Sequence, residues 1–214
     1  MTDAALSMDR IYAWQTRIYD FTRKPYLLGR DRLVDALAPP NGGRVLEIGC
    51  GTARNLIRCA RRWPGASCFG VDVSKAMLQQ ARIKVARAGL EGRVRLTQAD
   101  AMDLDPAQAF ATGDFQRIYF SYTLSMIPDW TRAVDHAAGL LPPKGALLIA
   151  DFGDQKHLPR LFRTALRRWL SLFHVQPRDN LEAVLREIAQ SRGLAVDFVS
   201  LYRGYTFLAA LRRP

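Results

Sequence analysis

From Arg44 to Asp151 the chain alternates short apolar runs with stretches in which apolar residues recur every three or four positions. Runs of the first kind suit strands buried on both faces, and the second kind suits helices packed along one side. The alternation therefore predicts a parallel sheet. The spacing places strands at Arg44–Ile48, Cys68–Asp72, Val94–Gln98, Phe115–Phe120 and Ala146–Asp151, with helices near Asn55–Arg62, Lys75–Ala88 and Trp130–Leu140. The last of these helices ends before Pro142-Pro143, a pair that cannot continue it. Helical patterns follow near Pro159–Phe173 and Asn180–Arg192, then two closing strands near Ala195–Leu201 and Tyr205–Leu211. The expected fold class is α/β, a single domain with a seven-stranded, mostly parallel sheet and an antiparallel last strand. Ahead of it, Ser7–Ala38 reads as two helices broken around Lys24-Pro25, because the residue before proline is pushed out of the helical region. This gives a helical cover over residues 1–38 and one structural unit over 39–214.

Charge narrows the partners. Lys and Arg number 31 against 20 Asp and Glu, a formal charge of +11, and such a surplus favours an anionic partner, either nucleic acid or a membrane surface. Cys50, Cys59 and Cys68 form no Cys-x-x-Cys pair, and His136, His157 and His174 are scattered away from them, so no metal site is expected. An odd, sparse cysteine count fits a reducing compartment. The start of the chain shows no basic segment followed by an apolar run, which predicts no signal peptide. With no uncharged apolar stretch near the roughly 18 to 20 residues needed to cross a bilayer, any membrane contact is expected to be peripheral.

The sharpest local signal is VLEIGCGTARN, Val45 to Asn55, an apolar strand running into Gly49-Cys50-Gly51 and then a helix. Glycines let the backbone turn tightly and approach a ligand, and the helix start offers free N–H groups. Such a loop is often only a tight turn. Here Asp72 ends the next strand 23 residues after Gly49, where a carboxylate can accept both hydroxyl protons of a ribose. A dinucleotide site would need a third glycine where Arg54 stands, and Glu47 suits a ligand bearing an ammonium group. The combination indicates a nucleoside cofactor.

At these residues the chain resembles the class I S-adenosylmethionine-dependent methyltransferases. Glu47-x-Gly49-x-Gly51 matches their first motif, FGVDVS at Phe69 to Ser74 the second, and LTQADAMDL at Leu96 to Leu104 the third. The resemblance implies a Rossmann-like methyltransferase fold with Gly49 and Gly51 against the methionine moiety, Asp72 on the ribose, Val73 and Met77 flanking the adenine, and Asp100 with Ala101 at its edge. Cys50, Thr52, Asn55 and Ser121 complete the expected cofactor set. Ala53 stands where many relatives have a third glycine, a mild departure if its φ is negative.

The acceptor has to be read from the remaining loops. After the fourth predicted strand the chain has Ser121-Tyr122-Thr123-Leu124 rather than the Asn/Asp-Pro-Pro-aromatic motif of base amino-methylating enzymes, and no cysteine lies beyond Cys68 to serve as a cytosine-methylase nucleophile. No nucleic-acid partner is therefore expected. The block Met8 to Leu33, MDRIYAWQTRIYDFTRKPYLLGRDRL, resembles the bacterial betaine-lipid methyltransferases, which methylate the amine of diacylglyceryl-homoserine three times. That resemblance implies a lipid amine substrate met from the cytoplasmic face of a bacterial membrane, with phosphatidylethanolamine as the alternative acceptor. On this reading Tyr19 and Tyr122 are catalytic, while Tyr26, Arg23 and Arg30 hold the substrate, the arginines pairing with its carboxylate. The bland alternative is that the tyrosines staple the N-terminal helices to the sheet and the arginines are solvated. Asp151, at the end of the fifth predicted strand, fits either a functional acid or a loop cap.

One helix bears on the membrane. Between Leu158 and Phe173, apolar residues at 158, 161, 162, 165, 166, 169, 172 and 173 predict one face, with Arg160, Arg163 and Arg167 opposite. A basic amphipathic helix carrying Trp169 and Phe173 suits an anionic bilayer interface, and equally suits packing on the sheet.

Overall fold

A computed structural model describes residues 27–173 and 175–214. Its sheet has seven strands: β1 (Arg44–Ile48), β2 (Ser67–Asp72), β3 (Val94–Gln98), β4 (Arg117–Ser121), β5 (Ala146–Phe152), β6 (Ala195–Leu201) and β7 (Thr206–Arg212), in the order β3-β2-β1-β4-β5-β7-β6. All neighbours pair in parallel except β7, which runs antiparallel to both β5 and β6. The expected fold class is the observed one. Seven helices lie among the described residues: α1 (Arg30–Leu37), α2 (Arg54–Arg62), α3 (Lys75–Arg87), α4 (Pro106–Phe110), α5 (Trp130–Gly139), α6 (Arg160–Ser171) and α7 (Leu181–Ser191). None of these is long and apolar enough to cross a membrane.

The apolar runs become central strands because both faces of the sheet are covered. Every residue of β5 is buried. Along β1 and β4 successive side chains alternate between two cores: Val45 and Tyr119 meet α1, α2 and α3, whereas Leu46, Ile48, Ile118 and Phe120 meet α5 and α7. At the edge, β6 alternates exposed and half-buried residues from Ala195 to Val199, and Ser200 is exposed as well. Helix α4 was not foreseen, since five residues carry too little periodicity to read. Its signal is instead the start: Asp105 accepts hydrogen bonds from the backbone of Ala107 (2.9 Å) and Gln108 (3.2 Å), and Pro106 occupies the first turn. The fourth strand starts two residues later than expected, with Phe115 buried just ahead of it.

Of the predicted helical cover, only its end lies within the described residues. There α1 sinks Leu33, Val34 and Leu37 into the core shared with α2 and α3. Arg117 on β4 donates to the Leu37 carbonyl (2.5 Å), and the Trp63 indole donates to that of Val34 (3.0 Å). The ion pairs of Arg58 with Asp31 and Arg62 with Asp35 are largely solvated and add little. Urea unfolding should show this division: Leu37→Ala costs about 2–5 kcal/mol through the lost side chain and its cavity, while Asp35→Ala costs under about 1 kcal/mol.

Candidate active site

The strand order reverses between β1 and β4, and at that point a cleft opens beyond the carboxyl ends of β1, β2 and β4. The loop leaving β1 forms its floor. Gly49 and Gly51 have φ of 75° and 52°, a region that costs other residues about 1–2 kcal/mol. Gly49 and Cys50 both donate their backbone N–H to the Val71 carbonyl at 2.9 Å, which pins the loop to β2. A Cβ on Gly49 would lie 2.2 Å from Thr123 Cγ2, whereas one on Gly51 would meet nothing within 4 Å. Cys50 turns its side chain inward: a Cβ on Gly70 of β2 would come within 2.9 Å of its sulfur. Burial raises the Cys50 thiol pKa far above its usual value, so the residue serves the site through its backbone.

Asp72 binds the loop from the other side. Its Oδ2 accepts from Gly51 N (2.8 Å) and its Oδ1 from Ser74 N (2.9 Å), and Ser74 in turn caps α3 by accepting from Met77 N (3.3 Å). Val73 and Met77 line the adjoining wall with Asp100 and Ala101, the last two held in a turn by Met102 N donating to Asp100 Oδ1 (3.0 Å). The structure thus brings together Glu47, Gly49, Cys50, Gly51, Thr52, Asn55, Asp72, Val73, Met77, Asp100, Ala101 and Ser121 around one cleft, with Tyr122 and Arg30 at its rim.

Ala53 departs from the condition attached to it. Its φ is 60°, not negative, so an alanine holds a left-handed turn in a fully buried position.

Glu47 is the most perturbed acid in the cleft. It is buried, Oε1 accepts from Asn55 Nδ2 (2.9 Å), and the buried Tyr119 hydroxyl stands beside the carboxyl group. Burial, with Asp72 nearby, raises its pKa to about 8 against the pull of Asn55, Tyr119 and Arg30. The Ser121 hydroxyl is buried and makes no hydrogen bond among the described residues. A buried acid and an unpaired hydroxyl beside an open glycine floor are what a ligand with an ammonium group and polar edges would complete.

Tyr122 is buried, with a left-handed φ of 57°. Its hydroxyl donates to the Leu28 carbonyl at 2.5 Å and sits 2.9 Å from Thr206 Oγ1, which itself donates to the Asp151 carbonyl. The phenol is therefore spent on holding the N-terminal segment to the sheet, and burial raises its pKa. Asp151 accepts from Ser125 N (3.1 Å) and Phe152 N (2.8 Å), the geometry of a loop cap, with burial lifting its pKa to about 6. Tyr19, Arg23 and Tyr26 lie outside the described residues.

Arg30 is half-buried and makes one hydrogen bond among the described residues, from Nε to the Leu27 carbonyl (3.2 Å). Desolvation and the neighbouring Arg54 lower its pKa to about 10. Arg54, also lining the cleft, was not expected there. In the sequence it marks only the place where a dinucleotide site would have a glycine, yet it begins α2 directly beside the loop.

Residues 45–145 match the family model described as a methyltransferase domain. That stretch is similar to methyltransferase domains, and S-adenosylmethionine is the cofactor. The chain is 29% identical over 197 residues to the O-methyltransferase resE of Aspergillus sclerotiorum, covering 92% of this chain and 72% of that protein. It is 33% identical over 134 residues to a phosphatidylethanolamine N-methyltransferase of Cereibacter sphaeroides, covering 63% of each. A solved phosphoethanolamine N-methyltransferase of Haemonchus contortus with S-adenosylmethionine bound superposes with a TM-score of 0.67 at 17% identity, over 86% of this chain and 52% of that one. The methyltransferase domain thus serves relatives acting on oxygen and on nitrogen, and it does not by itself fix the acceptor.

Two outcomes test the site. Gly49→Ala should destabilise the protein by a few kcal/mol, combining about 1–2 kcal/mol for the left-handed φ with about 1–3 for overlap with Thr123. Adding Thr123→Ala should recover the overlap part and leave the backbone part, as read by denaturant midpoints. The second outcome concerns pH. Because Glu47 carries a raised pKa when folded, its contribution to stability is complete below about 4.5 and is lost as pH rises to about 8. Thermal melting without cofactor should show this decline, on the order of a few kcal/mol, and Glu47→Gln should flatten it above the range in which Asp151 titrates.

Proposed function

We propose that the chain methylates the amine of a membrane lipid, with diacylglyceryl-homoserine as acceptor and three successive transfers giving the trimethylated betaine. The observation that carries this reading is the rim of the cleft, where Arg30 and Arg54 stand together beside Leu27, Met126 and Ile127. Neither arginine has an ion-pair partner among the described residues, so the rim presents unneutralised cations next to apolar side chains. A lipid headgroup carrying a carboxylate near its amine matches that combination, since a guanidinium pairs bidentately with a carboxylate. The N-terminal block and the phosphatidylethanolamine N-methyltransferase relative support the same class of acceptor.

When bound, S-adenosylmethionine supplies an electrophilic sulfonium methyl. The chain's own residues have the task of positioning. Gly49 and Gly51 let the backbone lie against the methionine moiety, Glu47 faces its ammonium, and Asp72 reaches the ribose hydroxyls. Arg30 orients the acceptor so that its neutral amine lies in line with the transferred methyl. Each of the first two transfers releases one proton from nitrogen, and the third leaves a permanent cation. Tyr122 keeps Leu27 and Leu28 against the cleft, which excludes water from the reacting atoms.

A second reading, phosphatidylethanolamine as acceptor, places a phosphate at the same arginines. Expression in a host that makes diacylglyceryl-homoserine but cannot methylate it, followed by mass spectrometry of the lipid extract, should show its mono-, di- and trimethylated forms. Methylated phosphatidylethanolamine alone would favour the second reading, and an unchanged extract would overturn both. Arg30→Ala should raise the acceptor KM by about ten-fold or more, the loss of a charge-assisted pair. Its affinity for S-adenosylmethionine should stay within about two-fold by calorimetry, separating acceptor binding from cofactor binding.

A further inference from the structure

Helix α6 differs from the other helices in how little it buries. Among its residues only Leu170 is fully buried. Its inward stripe, Leu166, Leu170 and then Phe173, packs with Leu158 and Trp169 against Tyr122, Phe152 and Tyr205, in a cluster that also takes in Leu27, Leu28 and Met126. A second apolar stripe faces outward. Leu161, Ala165 and Leu172 fall at i, i+4 and i+11, on one line of the helix. Leu161 is 88% exposed and Leu172 71%, with Phe162 beside them at 53%. An ordinary surface helix has one apolar stripe and turns it inward, so the packing that places Trp169 and Phe173 on the protein side leaves this outer stripe unexplained.

Its setting is basic. From Gln155 to Arg178 the chain contains no Asp or Glu but has Lys156, Arg160, Arg163, Arg167, Arg168 and Arg178. Lys156 pairs with Asp154, and Arg167 turns inward to Asp179, Gln155 and the Asp154 carbonyl. Arg167 is therefore not on a free face with Arg160 and Arg163, as the sequence pattern had suggested. Arg160, Arg163 and Arg168 make no ion pair among the described residues, and Arg160 and Arg168 are exposed alongside Leu161 and Leu172.

We propose that the outer stripe of α6, Leu161, Phe162 and Leu172 with Arg160 and Arg168, docks the protein on an anionic lipid bilayer. Leucines enter the boundary between headgroups and acyl chains, and the arginines meet anionic headgroups. A bilayer fits better than a protein groove because the apolar stripe is narrow and its flanks carry cations without a single acid. The same helix reaches the cleft through its other side: Tyr122, Met126 and Leu27 belong both to the cluster under α6 and to the cleft lining. Docking would therefore hold the rim of the cleft beside the lipid surface. The proposal deepens the lipid-amine reading, and its test leaves that reading aside.

The full chain is mixed with vesicles of phosphatidylcholine with phosphatidylglycerol, which contain no methylatable primary amine, and sedimented. Binding should require phosphatidylglycerol, fall as salt rises, and drop about ten-fold or more in the double variant Leu161→Glu with Leu172→Glu. Both positions are exposed, so the variant should keep the melting temperature and cofactor affinity of the parent, which verifies its fold. Absence of sedimentation, or binding that the double variant leaves unchanged, overturns the proposal. So does a chain that is dimeric by light scattering, becomes monomeric in the variant and ignores vesicles, since the stripe is then an interface between copies. Vesicle binding without any methylated lipid in vivo upholds docking and removes the lipid-amine acceptor.

Discussion

The site depends on one carboxylate with two obligations. Asp72 accepts from Gly51 and from Ser74, so the glycine loop after β1 and the turn that starts α3 are fastened to the same group. Around it the Val71 carbonyl takes the N–H groups of Gly49 and Cys50, and Thr123 closes over Gly49 from the next strand. A cleft floor made this way is shaped by the loop backbone, with Asp72 and Thr123 as the side chains that hold it. The left-handed residues are sustained because hydrogen bonds from three strand ends leave the loop no alternative path, and this is how Ala53 comes to sit at φ 60°.

Much of this was legible beforehand because the responsible signals are local. Apolar runs of four to seven residues mark strands wherever both faces are covered, and β1, β2 and β5 show that in full. The glycine spacing and the acid at the end of β2 mark the loop. What escaped reading was carried by a short capping signal or set by tertiary packing. Helix α4 is defined by a capping aspartate and a proline rather than by periodicity. Arg54 carries no pattern of its own and gains meaning only when α1 brings Arg30 beside it. The orientation of α6 could not be settled from periodicity, since two apolar stripes share one helix and the wheel does not say which one the sheet will take. Tyr122 is a related case: an aromatic residue after β4 reads equally as chemistry or as staple, and the Leu28 carbonyl decides what its hydroxyl does in the structure.

The two sides of the sheet divide the labour. One core, under α5 and α7, is large and aromatic, with Phe69, Phe110 and Phe115 meeting edge to face at 5.1 to 6.2 Å, and reaches the cleft only through residues such as Ile48 and Ala101. The other, under α1, α2 and α3, is built from small and aliphatic residues and carries the glycine loop and the arginines. Where the two cores meet the cleft stand its buried polar groups, the Glu47 carboxyl among them.

The burial of the cysteines has a practical side. Cys50, Cys59 and Cys68 are all shut off from solvent; burial pushes the Cys50 thiol far from ionisation, and a hydrogen bond with Cys68 together with burial does the same to Cys59. The thiolate is the form that reacts, so an alkylating reagent finds almost nothing to modify in the folded chain. Labelling becomes possible only when α2 or the loop ahead of it parts from β2. The rate at which such a reagent consumes the three thiols then measures how often this half of the protein opens, giving the molecule an internal clock for its own breathing motions.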